Sequence, residues 1–233
     1  MRMTLAERSQ LALEMPFDAS RAVEDFIVGH PNEAPFAFLE AWPDWPSHGA
    51  VLVGPAGCGK SHLASAWAAR TGGIVIPAAS LGQRDLLAGG GQAPPAWVIE
   101  DADRSALDET ALFHVLNHCK EHRSSILVTG RSAPGAWAIT LPDLRSRLGA
   151  LPLLPIAEPD DELLASVLLK LLDDRQLNAS PAAVTYLVSH MERSMAFAQT
   201  LVGAIDALSW EKQKPLTRPI AREALARIAA LPA

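Results

Sequence analysis

Gly54-Pro55-Ala56-Gly57-Cys58-Gly59-Lys60-Ser61 is a complete GxxxxGK[ST] phosphate loop. Before it runs Ala50-Val51-Leu52-Val53, a buried parallel strand by length and composition, and after it His62 to Arg70, a good helix former. Glycines at 54, 57 and 59 let the backbone wrap so that its N–H groups face phosphates, with Pro55, Ala56 and Cys58 completing the loop. Lys60 then reaches the β- and γ-phosphates and the Ser61 hydroxyl can ligate Mg²⁺. A strand in front and a helix behind turn a common glycine pattern into the signature of a nucleotide-binding protein.

Working outward, Ile74–Ile76, Trp97–Glu100, Ser125–Thr129 and Leu153–Ile156 read as further strands, with helical patterns between them. This alternation predicts a doubly wound, five-stranded parallel sheet with helices on both faces, its ligand at the carboxyl ends of the strands. Residues 88–95 read as a loop. From Pro159 onward the pattern is all helical. Leu163, Leu164, Val167, Leu168, Leu171 and Leu172 make one stripe, Ser180-Pro181 reads as an N-cap with a first-turn proline, and further helices are expected over 194–209 and 218–230. The expected organisation is a tail over 1–16, a nucleotide-binding base over 17–157 and a small helical lid over 158–233.

Bulk composition narrows the function. With 20 Lys and Arg against 26 Asp and Glu, the net charge of −6 argues against a broad DNA- or RNA-binding face, so contact with nucleic acid is expected to be indirect. No apolar run approaches the ~20 residues of a membrane span, and Met1–Glu14 lacks a signal-peptide core. The two cysteines, Cys58 and Cys119, make no disulfide framework. A cytoplasmic protein without membrane association follows.

A phosphate-loop site needs an acidic group on a neighbouring strand. Trp97-Val98-Ile99-Glu100-Asp101 supplies it: Glu100 on the magnesium side with Ser61, Asp101 on the water side, and Asp103 as a looser candidate. The next strand ends in Thr129-Gly130-Arg131, where a polar group, Thr129 first, could touch the γ-phosphate or the water; turn chemistry explains a threonine there equally well. His114, His118 and His122 recur every four residues beside Cys119, a spacing that could hold zinc but is better explained as the polar face of a helix.

Phe17, Asp25-Phe26-Ile27-Val28-Gly29 with Asn32, the phosphate loop followed by His62-Leu63, the acidic strand, Leu141-Pro142-Asp143-Leu144-Arg145-Ser146-Arg147-Leu148 and the lid segments Pro159–Glu162 and Arg193–Met195 together resemble one family. It is the AAA+ module of the bacterial replication initiator DnaA, and the likeness is greater still to the shorter DnaA-related regulators that inactivate the initiator. The resemblance implies an AAA+ base and lid, and an adenine nucleotide, ADP or ATP with Mg²⁺, bordered by Phe26, Val28, Gly29, Asn32 and His62. The chain ends at Ala233, without room for the initiator's DNA-reading helix-turn-helix, which favours the regulator.

Gln10-Leu11-Ala12-Leu13-Glu14-Met15 is similar to the peptide with which such regulators dock on the β sliding clamp. Leu11, Leu13 and Met15 would share one side of an extended segment, with Gln10 as the polar anchor. Periodicity by itself fits leucines covering their own core equally well. Arg145 and Arg147 are expected in a loop before the last strand, and by resemblance Arg147 is an arginine finger inserted into the ATP site of DnaA, the second expected partner. An arginine that family members carry in the lid is replaced by Ala196, with Arg193 one turn earlier, and Glu100 stands where aspartate is usual. Weak intrinsic hydrolysis is therefore expected, with activation of a partner as the main role. The alternatives are a helicase-loader or transposase-helper ATPase with its own ATP cycle, and a noncatalytic clamp adaptor. A homodimer or higher oligomer stays open.

Overall fold

The computed structural model describes residues 26–83, 93–104 and 107–230. The expected clamp-binding residues Gln10, Leu11, Leu13 and Met15, with Phe17 and Asp25, lie outside the described residues, as does most of the 88–95 loop.

Five strands, β1 (Gly49–Val53), β2 (Ile74–Pro77), β3 (Ala96–Glu100), β4 (Ser125–Gly130) and β5 (Leu153–Pro155), form one parallel sheet in the order β2-β3-β4-β1-β5. Its central strands are apolar on both sides because both sides are covered. Val51, Val53, Trp97, Ile99, Ile126 and Val128 pack on one face, against helices α3 (Glu109–His122) and α4 (Pro142–Gly149). The alternate residues Ala50, Leu52, Ala96, Val98 and Leu127 pack on the other, against α1 (Glu33–Glu40) and α2 (Lys60–Thr71). The period of two in the strands thus sorts one apolar run into two half-cores.

After β5 the chain is helical: α5 (Asp161–Asp173), α6 (Pro181–His190), α7 (Met195–Lys212) and α8 (Arg218–Ala229) enclose a separate apolar cluster. Asp160 caps α5 by accepting the Leu163 N–H at 2.8 Å, and Ser180 caps α6 with Pro181 at the first helical position. The leucine stripe of α5 divides its work. Leu164, Leu168 and Leu172 are buried in the helical core, whereas Val167 and Leu171 turn toward the sheet's carboxyl edge. A stripe serving two surfaces is wider than one core would require.

One expectation is corrected. Arg145 and Arg147 lie on a helix, α4, and not in a loop. Pro142 opens that helix, and the Glu109 carboxylate of α3 accepts the N–H groups of Thr140 at 2.9 Å and Leu141 at 2.7 Å just ahead of it. The side-chain cap is supplied from 31 residues away, so the local signal is only Pro142 at the first helical position with Asp143 after it. The histidine row runs along α3, with His114 and His122 exposed and the His118 ring against Trp97. Among the described residues no cluster of histidine, cysteine or acidic side chains could hold a metal; His118 and His122 stack at 4.0 Å, and burial pushes the Cys119 thiol up to about 12.

Candidate nucleotide site and an outward arginine

Between the carboxyl ends of the strands and the helical segment lies a cavity of about 410 Å³. Its floor is the loop between β1 and α2. Gly57 and Gly59 have φ of 73° and 101°, the left-handed region that only glycine enters without strain, and this is what opens the loop's amides inward. Lys60, 8% exposed, donates from Nζ to the carbonyl oxygens of Gly54 and Pro55, each at 2.8 Å, and approaches Cys58 Sγ at 3.9 Å. Burial raises the Cys58 thiol's pKa against the opposing pull of the Lys60 charge, so the sulfur stays neutral beside the cradle. Ala56, Gly57, Cys58, Gly59, Lys60, Ser61 and His62 all line the cavity; Gly54 and Pro55 serve it through their carbonyls.

At the other end stand Phe26, Ile27 and Asn32. Phe26 stacks on Phe36 at 5.6 Å and meets the His62 ring edge-on, an aromatic corner suited to a flat heterocycle. Asn32 is 2% exposed, and its amide is spent on the loop: Oδ1 accepts the Gly29 N–H at 2.9 Å and Nδ2 donates to Ile27 O at 3.0 Å. It shapes the corner by bracing residues 27–29. Val28 and Gly29 are not among the lining residues; the Val28 side chain is exposed and Gly29 packs against Leu163.

The acidic edge separates into three positions. Asp101 lines the cavity, held at φ 58°, with its N–H donated to Thr129 Oγ1 at 3.0 Å. A non-glycine residue at that φ is strained, and here the threonine hydroxyl fixes it. Thr129 is 1% exposed and is absent from the lining, so it acts on the Asp101 turn. Glu100 ends β3 with Oε1 buried and without a hydrogen-bond partner. Glu100 is not among the lining residues, whereas the Ser61 hydroxyl is; the orphaned carboxylate oxygen at the strand end and that hydroxyl are oxygen donors of the kind a hydrated Mg²⁺ takes, and the ion would neutralise phosphate charge there. Asp103 points elsewhere, accepting the Arg131 N–H at 2.6 Å.

The residues that sequence reasoning missed are mostly those the fold brings from a distance. Arg104 lines the base side beside Arg131 of the strand end already singled out, and Val167, Lys170, Leu171 and Met195 line the helical side beside Ala196, the lid position that the resemblance pointed to. The helical wall grips the loop directly: Met195 N–H donates to Gly57 O at 2.8 Å, and a Cβ on Gly57 would lie 2.2 Å from Ser194 Oγ. Arg193 turns away, donating to Asp161 at 2.6 Å and to Pro159 O at 3.2 Å.

Arg147 is outside this cavity. It sits half-buried on α4 with its guanidinium carbon 4.7 Å from the centre of the Phe113 ring, and no ion pair with Asp143 forms. Burial, then the charges of Lys120 and Arg147, lower the pKa of nearby His48.

The five-stranded parallel sheet, its phosphate loop and the helices that follow β5 have the fold of AAA+ P-loop proteins. The sequence matches no protein-family model and no curated protein. Among solved structures it is similar to domain III of the Thermotoga maritima replication initiator DnaA, with a TM-score of 0.76 and 16% identity over 93% of this chain and all of that one. AMPPCP-bound DnaA from Aquifex aeolicus aligns with a TM-score of 0.65 and 19% identity over 81% of this chain and 66% of its own. The T. maritima RuvB Holliday junction branch migration motor aligns at 0.71, with 16% identity over 90% and 73%. At such identities the likeness is one of fold.

Proposed function

We propose that this chain is a regulator of the Hda type, a negative regulator of replication initiation that binds an adenine nucleotide, docks on the β sliding clamp and stimulates hydrolysis of ATP bound to DnaA. The observation that carries the reading is the setting of Arg147. A permanently charged, planar guanidinium is held on an aromatic platform at the protein surface, apart from the chain's own cavity. Such a group is available to a neighbour's γ-phosphoryl, where an arginine finger accelerates hydrolysis by about 10³ to 10⁵. The DnaA-like fold supports a partner built on the same plan.

Within the chain, Lys60, Ser61 and the loop amides hold the phosphates, Phe26 and Ile27 border the base, and Ser61 with Glu100 takes Mg²⁺, as AMPPCP binding by the similar DnaA structures also suggests. Asp101 stands on the water side with Thr129 fixing its turn. With Arg193 tied to Asp161 and Ala196 on the lid wall, the lid lends no arginine to the phosphates, which favours ADP or slowly hydrolysed ATP as a resident ligand. The base–lid division falls near residue 157, and the Gln10–Met15 peptide gives the clamp contact, leaving DNA contacted only through the clamp.

The test is hydrolysis of DnaA-bound ATP in the presence of DNA-loaded clamp. The intact chain stimulates it, Gln10→Ala raises the concentration of chain needed, and Arg147→Ala abolishes stimulation; full stimulation by Arg147→Ala refutes the reading. An ATPase with its own cycle, of the helicase-loader or transposase-helper kind, is the second reading, favoured by Asp101 lining the cavity and by the likeness to the RuvB motor. Fast turnover by the isolated chain would select it.

A further inference from the structure

We propose that Glu109 is a positioning residue for the outward arginine: by holding the head of α4 from α3, it fixes the direction in which Arg147 is presented to a neighbour's phosphates. α4 opens at Leu141, whose apolar side chain offers no cap, so the helix depends on a group brought from elsewhere. Glu109 supplies it with both oxygens. Oε1 accepts the Thr140 N–H at 2.9 Å, Oε2 accepts the Leu141 N–H at 2.7 Å, and the Thr140 hydroxyl donates to the same carboxylate at 3.0 Å. An anion at this end is also what the helix dipole favours. Arg145 closes the knot, its guanidinium donating to Ile139 O and its charge standing beside Glu109. Of the two arginines on α4, Arg145 is thus bound into the head of the helix, whereas Arg147 lies over Phe113 at the surface.

A change at the head of so short a helix is felt at its far end. Arg147 lies in the last turn of eight residues, about 9 Å along the axis from Leu141. On α3, Glu109 and Phe113 are four residues apart and share a face. One side of α3 therefore carries α4 at both ends, the head on a carboxylate and the Arg147 guanidinium 4.7 Å from the centre of a ring. Between those ends Leu144 and Leu148, both wholly buried, keep the helix on the core whatever its head does. Loss of the carboxylate thus leaves α4 docked but frees it to turn about its two leucines, and the guanidinium loses its aim. A finger must meet its phosphoryl group within a fraction of an ångström, so aim is what the partner's reaction reads.

This inference rests on the reading of Arg147 as a finger for a partner's ATP, and one assay separates the two. Single-turnover hydrolysis of DnaA-bound ATP on DNA-loaded clamp is followed against the concentration of the full chain, for the parent, Glu109→Ala, Glu109→Gln and Arg147→Ala. Near-ultraviolet circular dichroism and calorimetric Mg·ADP binding on each variant check that fold and cavity persist. Glu109→Ala is expected to lower the saturated rate about 10- to 100-fold, the scale of a misplacement of about 1 Å, and to move the half-saturating concentration less than about twofold. Glu109→Gln keeps the shape and one acceptor oxygen without the charge, and should fall between the parent and alanine. A parent-like saturated rate in both Glu109 variants, or a loss confined to the half-saturating concentration, overturns the positioning role and leaves the finger standing where Arg147→Ala still abolishes stimulation. Should Glu109→Ala fail to fold, the glutamine variant decides by the same criterion. Full stimulation by Arg147→Ala overturns the finger and this inference together.

Discussion

Two arginines, sixteen residues apart, occupy opposite situations in one fold. Arg131 follows β4 directly and lines the chain's own cavity next to the phosphate loop, unpaired among the described residues. Arg147 lies beyond the next turn, on α4, turned outward and laid over Phe113. The inner arginine is held by its backbone and leaves its guanidinium free for a ligand that comes to it. The outer one is held through its guanidinium on a ring, oriented for an object too large to enclose. On the proposed reading a single base would both receive a nucleotide and complete a partner's site, and the two can be broken separately.

The largest separation is expected from Lys60→Ala, which removes a buried cation whose Nζ organises the loop. Nucleotide affinity of the chain should fall by about 100-fold or more, judged from the strength of charged phosphate contacts, while the α3–α4 face keeps its structure. Calorimetry paired with a near-ultraviolet circular dichroism spectrum checks both halves. Phe113→Ala should do the reverse. Loss of a cation–π platform worth about 0.5 to 2 kcal/mol corresponds to a roughly 2- to 30-fold drop in stimulated hydrolysis of DnaA-bound ATP, with the chain's own nucleotide affinity unchanged. If nucleotide affinity falls in step, the two regions are not independent.

A smaller effect is expected at Glu109, the distant cap of α4. Bonds from the Thr140 and Leu141 N–H groups, in that order of weight, hold its carboxyl below the usual carboxylate range. A depressed pKa means that the contribution is complete above that range and is lost as pH falls through the lowered value. The stability gap between the parent and Glu109→Gln should therefore be present at pH 7 and close on acidification, as followed by urea unfolding at several pH values. A gap that widens in acid would contradict the capping role. The least effect is expected from Arg193→Ala: nucleotide affinity should change by less than about twofold, because the side chain serves Asp161 in an exposed pair.

What the sequence reveals follows from how far each feature's causes extend along the chain. The phosphate loop is local, with strand, glycines and lysine inside a dozen residues, and the structure has each in place. Strands β1, β3 and β4 are legible because apolar runs between turns report burial on both faces; the edge strands β2 and β5 are half-exposed. Phe26 and Asn32 are legible by resemblance, though not the fact that the Asn32 amide braces the 27–29 loop. Pro142 is a faint local sign of α4, whose cap is the distant Glu109, and nothing local tells that Thr129 bonds inward to Asp101 and leaves the cavity to Arg131. Side-chain direction at a strand end depends on what packs beside it, and a lining such as Val167, Leu171 and Met195 exists only once the lid stands over the base.

The outward arginine is tested most directly by single-turnover hydrolysis of DnaA-bound ATP with this chain saturating on DNA-loaded clamp, comparing the parent with Arg147→Ala and Arg147→Lys. Saturation removes differences in docking and leaves the chemical step. A fall to the unstimulated rate for Arg147→Ala, with at most partial recovery for lysine, is the expected result; a parent-like rate in Arg147→Ala would contradict it.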